Sequence, residues 1–354
     1  MQLLSRYIAR TILGATFLVL LVLLGLYTFI DFVTELEDLG KGSYQIGSIF
    51  SYIALSMPKR IYELLPIAAL LGSVMGLGTL ASQSELVVMR AAGISVMGIN
   101  KAVMGVALLL MLVALFMGEV LRPVLEQKAL ELQSVAQTGT VGTHSENGFW
   151  TRDGLYFNHI RQITPDGQLR DVSVYEFDKE NRLKLSMNAE RAKYSEQSWT
   201  LENVVQSTID EKQVKVRTVK HKHWESQLNP GLLNVVVVPP EYLPVWELMT
   251  YVDYLKENHQ ASERYELAFW SKIMMPLSSA VMVFLAVPFV FGPLRSSSIG
   301  GRIVIGSLLG IGFYLFNQTF QHMGLVYGLP PLLSAVFPTF AFASGGIYLM
   351  RKIH

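Results

Sequence analysis

Five runs without a single Asp, Glu, Lys or Arg dominate this chain: residues 11–30, 64–84, 102–118, 273–294 and 303–350, of 20, 21, 17, 22 and 48 residues. A helix of about 20 apolar residues crosses a bilayer, and in lipid only a helix or a closed barrel satisfies its own backbone. The longest run holds two such helices and a turn, so six spans are expected. Charged residues make up 16% of the chain and mean hydropathy is +0.35. Soluble domains carry about 25% charge, so a soluble, disordered or collagen-like chain is excluded. The first run reads as a retained span, because it is long for a signal segment and Thr28-Phe29-Ile30-Asp31 offers no small-residue cleavage site.

The spans form two groups of three: 1–121 carries the first three and 267–354 the last three. Between them, residues 122–266 hold 17 Lys/Arg and 21 Asp/Glu, a soluble composition. Arg6, Arg10, Arg90, Lys101, Arg295, Arg302, Arg351 and Lys352 flank one side of the spans, against Lys41, Lys59 and Arg60 on the other. The positive-inside rule makes the first side cytoplasmic, with both termini there and 122–266 outside. That segment reads as antiparallel β structure. Leu169, Asp171, Ser173, Tyr175 and Phe177 alternate with Arg170, Val172, Val174 and Glu176, although neither face is purely apolar. Val204-Val205, Val214-x-Val216 and Val235 to Val238 add β-branched runs, and Thr164-Pro165-Asp166-Gly167, Asp178-Lys179-Glu180-Asn181 and Ser195-Glu196-Gln197-Ser198 read as turns. Leu248, Tyr251, Val252 and Leu255 recur at helical spacing. Residues 46–57 are expected to lie along the outer membrane surface, with Pro58-Lys59-Arg60 turning the chain into the second span. The fold class is six transmembrane helices with an inserted antiparallel β domain.

Several chemistries are missing. Net charge is +1, so nucleic acid is not an expected partner. There is no cysteine, no phosphate-binding G-x-x-x-x-G-K-[ST], no H-E-x-x-H and no G-x-S-x-G, so the chain is expected not to hydrolyse ATP and to have no catalytic residue or cofactor of its own. His221-x-His223 shares one strand face, but among Lys220, Lys222 and Trp224 the pair reads as two exposed histidines and no metal site is expected. The apolar runs contain no acid, lysine or arginine, and His322 near a span end is the one titratable histidine in the last two spans, which disfavours ion-coupled transport.

Three features point to function. Residues 82–95, on the cytoplasmic side between spans two and three, form a short apolar helix capped by Ser82 or Ser84. Leu86, Met89 and Gly93 lie along one stripe with Glu85 at the N-terminal end, which suits docking into a partner's groove; the alternative is a helix lying on lipid headgroups. Gly72, Gly76 and Gly78 in the second span, and Gly306, Gly310 and Gly312 in the fifth, form stripes that admit close helix approach. The second reads as intrachain packing. The fifth also suits a contact that opens and closes. Lys41, Lys59, Arg60, Arg122, Lys128, Arg264 and Lys272 lie at the outer edge, where they are candidates to hold lipid phosphates or to snorkel. Asp31, Glu35, Glu37 and Asp38 oppose them at the same depth.

Five short motifs in order along this topology resemble the LptF/LptG family of lipopolysaccharide export permeases, on its LptG side. They are Arg6-Tyr7-Ile8, Leu65-Pro66-Ile67-Ala68-Ala69-Leu70, Ser84-Glu85-Leu86-Val87-Val88-Met89-Arg90-Ala91-Ala92-Gly93, Phe291-Gly292-Pro293-Leu294-Arg295 and Tyr327-Gly328-Leu329-Pro330-Pro331. The resemblance implies a β-jellyroll outside the membrane and a heterodimer with an LptF-type sister permease. It also implies an LptB-type ATPase dimer, which would hold the ATP and Mg, an LptC-type single-span protein between the permeases, and a periplasmic LptA-type bridge. Residues 82–95 match the family's coupling helix, with Glu85 meeting an arginine of the ATPase and Leu86, Met89, Arg90 and Gly93 beside it. The first and fifth spans match lateral gates, which brings in Gly306, Gly310 and Gly312. Lipopolysaccharide would enter from the outer leaflet and be extruded by ATP-driven closure. In one respect the chain departs from the pattern: residues 31–38 hold no lysine, where some LptG-like proteins carry several that contact lipid phosphates. The competing functional classes are a membrane-anchored scaffold or receptor and an ion-coupled lipid transporter.

Overall fold

The computed structural model describes residues 2–138, 148–164, 167–178, 180, 182–195, 198–210, 213–224, 226, 239–292 and 298–353. Pro165, Asp166, Lys179, Asn181, Glu196, Gln197, the run Val235 to Val238, and Pro293-Leu294-Arg295 lie outside the described residues. The chain forms two compact units. One comprises Met1–Glu37, Ile49–Glu126 and Glu263–His354, the other Asp38–Ser48 and Gln127–Ser262. In chain order the helices are α1 (Gln2–Glu35), α2 (Ile46–Ser82), α3 (Glu85–Ala91), α4 (Val96–Phe116), α5 (Arg122–Thr138), α6 (Val245–Glu257), α7 (Glu263–Phe291), α8 (Ile299–Tyr327) and α9 (Pro331–Ile353).

Among the described residues six helical stretches are long and apolar enough to cross a membrane: α1, α2, α4 continuing into α5, α7, α8 and α9. Helix α2 is the hub of the first unit. Leu65, Ala68, Ala69, Leu70, Val74 and Leu77 on it are fully buried, and it passes through Pro58 and Pro66 without ending. The turn expected at Pro58 is therefore not present: residues 46–57 continue the same helix. A proline costs a helix one hydrogen bond, and surrounding helices compensate for it in a membrane protein. The turn Tyr327-Gly328-Leu329-Pro330-Pro331 closes α8 and opens α9. Gly328 takes φ 66, Leu329 N–H donates to Gly324 O at 3.1 Å, and Pro331 occupies the first position of α9, where its missing N–H costs nothing.

The second unit contains β1 (Phe149–Asp153), β2 (Tyr156–Ile163), β3 (Leu169–Phe177), β4 (Leu183–Ser195), β5 (Ser198–Asp210) and β6 (Gln213–Trp224). They form one antiparallel sheet in sequence order. The connectivity is an up-and-down meander; the jellyroll crossover implied by the resemblance is not seen among the described residues. The imperfect alternation of β3 has a structural cause. Asp171 and Asn203 adopt left-handed backbone, φ 51 and φ 53, which Asp and Asn tolerate better than other side chains. The buried side changes phase at a line crossing the strands there. Leu169, Ala192 and Leu201 face inward on one side of the line, and Val172, Ala189 and Val204 on the other, with pairing register unchanged across it. The exposed line itself is polar, and Asn203 Nδ2 donates to Glu190 Oε2 at 2.7 Å. Helix α6 buries the four residues read from its spacing, Leu248, Tyr251, Val252 and Leu255.

Candidate functional site

The short helix α3 is held at both ends of its inner face. Leu86 and Met89 are buried in the same apolar cluster as Ile8, Ile12 and Leu80. Its C-terminus is a Schellman motif. Gly93 takes φ 89, its N–H donates to Arg90 O at 3.0 Å, and Ile94 N–H reaches Met89 O at 3.1 Å, with both apolar partners joining the core. Leu86 and Met89 therefore face the core and anchor the helix, while Gly93, exposed, terminates it. The outward surface is Val87 and Val88, 57% and 66% exposed, with Arg90 beside them. Periodicity located the stripe but not its direction: the deep apolar cluster beneath α3 claims the longer side chains. Neither serine caps the helix through its side chain. Ser84 stands at the N-cap with φ 61 and its side chain unused, while the Ser82 hydroxyl donates to Thr79 O at 2.8 Å. Half-buried Glu85 accepts a hydrogen bond from the Tyr7 hydroxyl of α1 at 3.0 Å.

The glycine stripes separate into two seams on α2. A Cβ at Gly72 or Gly76 would strike the backbone of Thr16 or Ile12 in α1, so this stripe is intrachain packing, as its sequence suggests. In α8, a Cβ at Gly306 would lie 2.9 Å from Leu71 and one at Gly310 3.2 Å from Ile67, whereas Gly312 has nothing within 4 Å. Gly306 and Gly310 thus share the α2 seam, and Gly312 does not. Helices α1 and α8 both rest on α2 and leave most of their surface exposed, with Phe17, Leu21 and Val22 outward on one and Leu308 and Leu315 on the other. Arg302, read as a simple flanking charge, is 4% exposed: its Nη1 donates to the Gly78 carbonyl of α2, and a Cβ at Gly78 would lie 2.8 Å from Arg302 Cδ.

The cations read from the sequence as lipid-phosphate candidates are mostly occupied by carboxylates. Arg60 grips Asp31 of α1 with two bonds, at 2.6 and 2.8 Å, and also reaches Glu63 at 3.1 Å. Arg122 lies 3.6 Å from Glu63 and over the Tyr62 ring. Lys59 pairs with buried Glu126 at 2.9 Å, and buried Lys272 lies 3.4 Å from both Glu119 Oε1 and the Gly118 carbonyl. A π-helical turn, Met117–Leu121, places Glu119 there, and Gly118 leaves room for the Tyr62 ring. Lys41 pairs with Asp38, while Lys128 and Arg264 are exposed. Of the carboxylates counted in sequence as opposing a ligand, Asp31 and Asp38 are partners of these cations; Glu63, Glu119 and Glu126 supply the rest.

In the second unit a cavity of about 970 Å³ is lined by Leu155, Leu185, Met187 and Trp224 together with Glu176 and Lys222. Burial and the nearby Arg217 guanidinium hold the Lys222 ammonium below its ordinary pKa, with Glu176 opposing. Lys222 donates to Gln206 Oε1 at 2.9 Å. His221 and His223 are exposed, and His223 Nδ1 lies 3.4 Å from the Ser198 hydroxyl.

The sequence matches the family model described as "Lipopolysaccharide export system permease LptF/LptG" over residues 6–352. The chain belongs to the LptF/LptG family. It is 39% identical over 341 residues to the lipopolysaccharide export system permease protein LptG of Haemophilus influenzae, covering 96% of this chain and 95% of that protein. LptG of Escherichia coli is 38% identical over 352 residues, 99% of this chain and 98% of the other. LptF of Escherichia coli is 31% identical over 109 residues, 31% of this chain and 30% of that one. Full-length similarity is thus to LptG. Membership of this family and six apolar helices make the chain a multi-pass permease of the inner membrane.

Proposed function

We propose that this chain is the LptG-type permease of a complex that uses ATP to lift lipopolysaccharide from the outer leaflet of the inner membrane. Its sister is an LptF-type permease, its motor an LptB-type ATPase dimer that holds ATP and Mg, and its third membrane partner an LptC-type single span. Both termini and α3 face the cytoplasm, and the β unit, within residues 122–266, faces the periplasm and hands cargo to an LptA-type bridge. The observation that carries this reading is α3: a seven-residue helix, anchored by Leu86 and Met89, that leaves Val87, Val88 and Arg90 outward beside Glu85. Without a phosphate-binding loop in the chain, work must arrive from another subunit, and a rigidly seated helix with an exposed apolar face is a means of receiving it. Lifting a lipid costs about 0.8 kcal/mol for each methylene exposed to water, so the cargo needs a continuous apolar route. Weakly packed α1 and α8 supply movable walls, and the cavity lined by Leu155, Leu185, Met187 and Trp224 supplies the next station.

Glu85→Lys tests the docking role. The variant is expected to insert normally, lose co-purifying ATPase and stop export. Normal export by this variant refutes the assignment of α3. Transport that persists without ATP but fails when the membrane potential is collapsed would favour the ion-coupled alternative instead.

A further inference from the structure

A glycine seam fixes how close two helices lie but provides few interlocking side chains to hold them along their axes. Both movable spans meet α2 through such seams, Gly72 and Gly76 against α1, and Gly306 and Gly310 of α8 against α2. Each is also fastened to the α2–α3 segment by a polar contact near the end where α3 begins, and α1 is held to α2 a second time, at its other end, by Arg60 on Asp31. The Tyr7 hydroxyl of α1 donates to Glu85 Oε1, the first residue of α3. The buried Arg302 guanidinium of α8 donates to the Gly78 carbonyl in the last turns of α2. Burying a guanidinium is costly unless it is hydrogen-bonded, so Arg302 resists leaving this carbonyl. Gly78 makes the contact possible, since a methyl there would collide with the arginine stem.

We propose that Tyr7 and Arg302 are positioning residues that fasten spans α1 and α8 to the α2–α3 segment, so that displacement of α3 moves both spans together. This deepens the docking role proposed for α3 and rests on it. It also accounts for the Arg6-Tyr7-Ile8 motif: Tyr7 makes the bond and Ile8, 1% exposed, plants the start of α1 in the core.

The test uses the complete permease–ATPase complex in lipid bilayers, with Tyr7→Phe, Arg302→Met, Arg302→Lys and Gly78→Ala. Three readouts are taken: ATP turnover, lipopolysaccharide released per ATP, and the distance between spin labels at Phe17→Cys and Ile311→Cys. The last two positions are exposed, and the chain has no native cysteine. Tyr7→Phe and Arg302→Met are expected to keep the ATPase bound and turning over, yet release about fivefold less lipid per ATP, the worth of one hydrogen bond. The nucleotide-dependent change in label distance shrinks with it. Arg302→Lys, which keeps a donor, recovers most of the yield. If Arg302→Met does not insert, Gly78→Ala, which displaces the arginine without removing it, decides for α8. Unchanged lipid per ATP and unchanged label distances in Tyr7→Phe and in the α8 variant overturn the proposal. Glu85→Lys separates the two levels: if it retains the ATPase, the docking role itself fails, whereas loss of the ATPase with unaffected Tyr7 and Arg302 variants removes only the fastening role.

Discussion

Replacing Lys59 by Met tests whether the outer-edge cations serve the protein or its cargo. Lys59 Nζ lies 2.9 Å from Glu126, whose side chain is 1% exposed against 15% for the lysine. The second carboxylate oxygen of Glu126 already lacks a hydrogen-bond partner, so nothing stands ready to replace the ammonium. Removing one member of a buried pair costs about 3–5 kcal/mol, mostly for the charge left behind. Lys59→Met is therefore expected to lose that much stability in denaturing-detergent titrations followed by tryptophan fluorescence. The double variant Lys59→Met, Glu126→Gln should recover at least about 2 kcal/mol, the coupling expected for charges in contact. Lys128→Met, at an exposed position, should stay within about 0.5 kcal/mol of the parent. The reasoning fails if Lys59→Met unfolds like the Lys128 control while retaining less lipopolysaccharide, because the lysine would then be working on cargo rather than on Glu126.

Gly118→Ala should destabilise the same titration by about 1–3 kcal/mol, since its methyl would lie 2.5 Å from the Tyr62 ring. Gly306→Leu should push α8 off α2, whereas Gly312→Leu, facing open space, should not; spin labels on α2 and α8 distinguish the two outcomes. Asn203→Ala should cost the β unit about 1 kcal/mol and Asn203→Gly less, because only the alanine is strained at φ 53; hydrogen exchange in β5 checks both. Tyr254 donates to the Arg152 carbonyl, and burial, with Asp153 adding, pushes its pKa up to about 12. The folded form thus holds the phenolic proton more tightly than an unfolded chain. Its contribution is complete below about pH 10 and is lost as pH rises toward 12, so phenolate absorbance and α6 unfolding should coincide there, and not in Tyr254→Phe.

The six spans were legible because lipid leaves a helix no other means of satisfying its backbone, and charge-free runs mark them directly. Helix α6 was legible for the same kind of reason, a clean apolar period in polar surroundings. The β unit was legible in class but not in facing. Strict alternation assigns Leu169 and Val172 to opposite faces, while the left-handed Asp171 between them turns both inward. A residue tolerant of positive φ was visible there, but many such residues sit in ordinary strands. At α3 the sequence located the helix and its stripe. It did not tell inward from outward, because Leu86 and Val87 are equally apolar and only the tertiary core separates them. Arg302 looked like one more flanking cation, and Gly78, two positions beyond Gly76, gave no sign of an arginine against it. Ion pairing was the least visible feature, since Lys59 and Glu126 meet across 67 residues of chain.

Lys59, Arg60, Arg122 and Lys272 are matched one for one by Asp31, Glu63, Glu119 and Glu126. Such an assembly is electrically silent at a distance: it neither draws in an anion nor repels one. A many-phosphate amphiphile passing these eight side chains finds no uncommitted counter-charge among them. Its entry past this subunit would then depend on grease rather than charge, and would change little between dilute and concentrated salt.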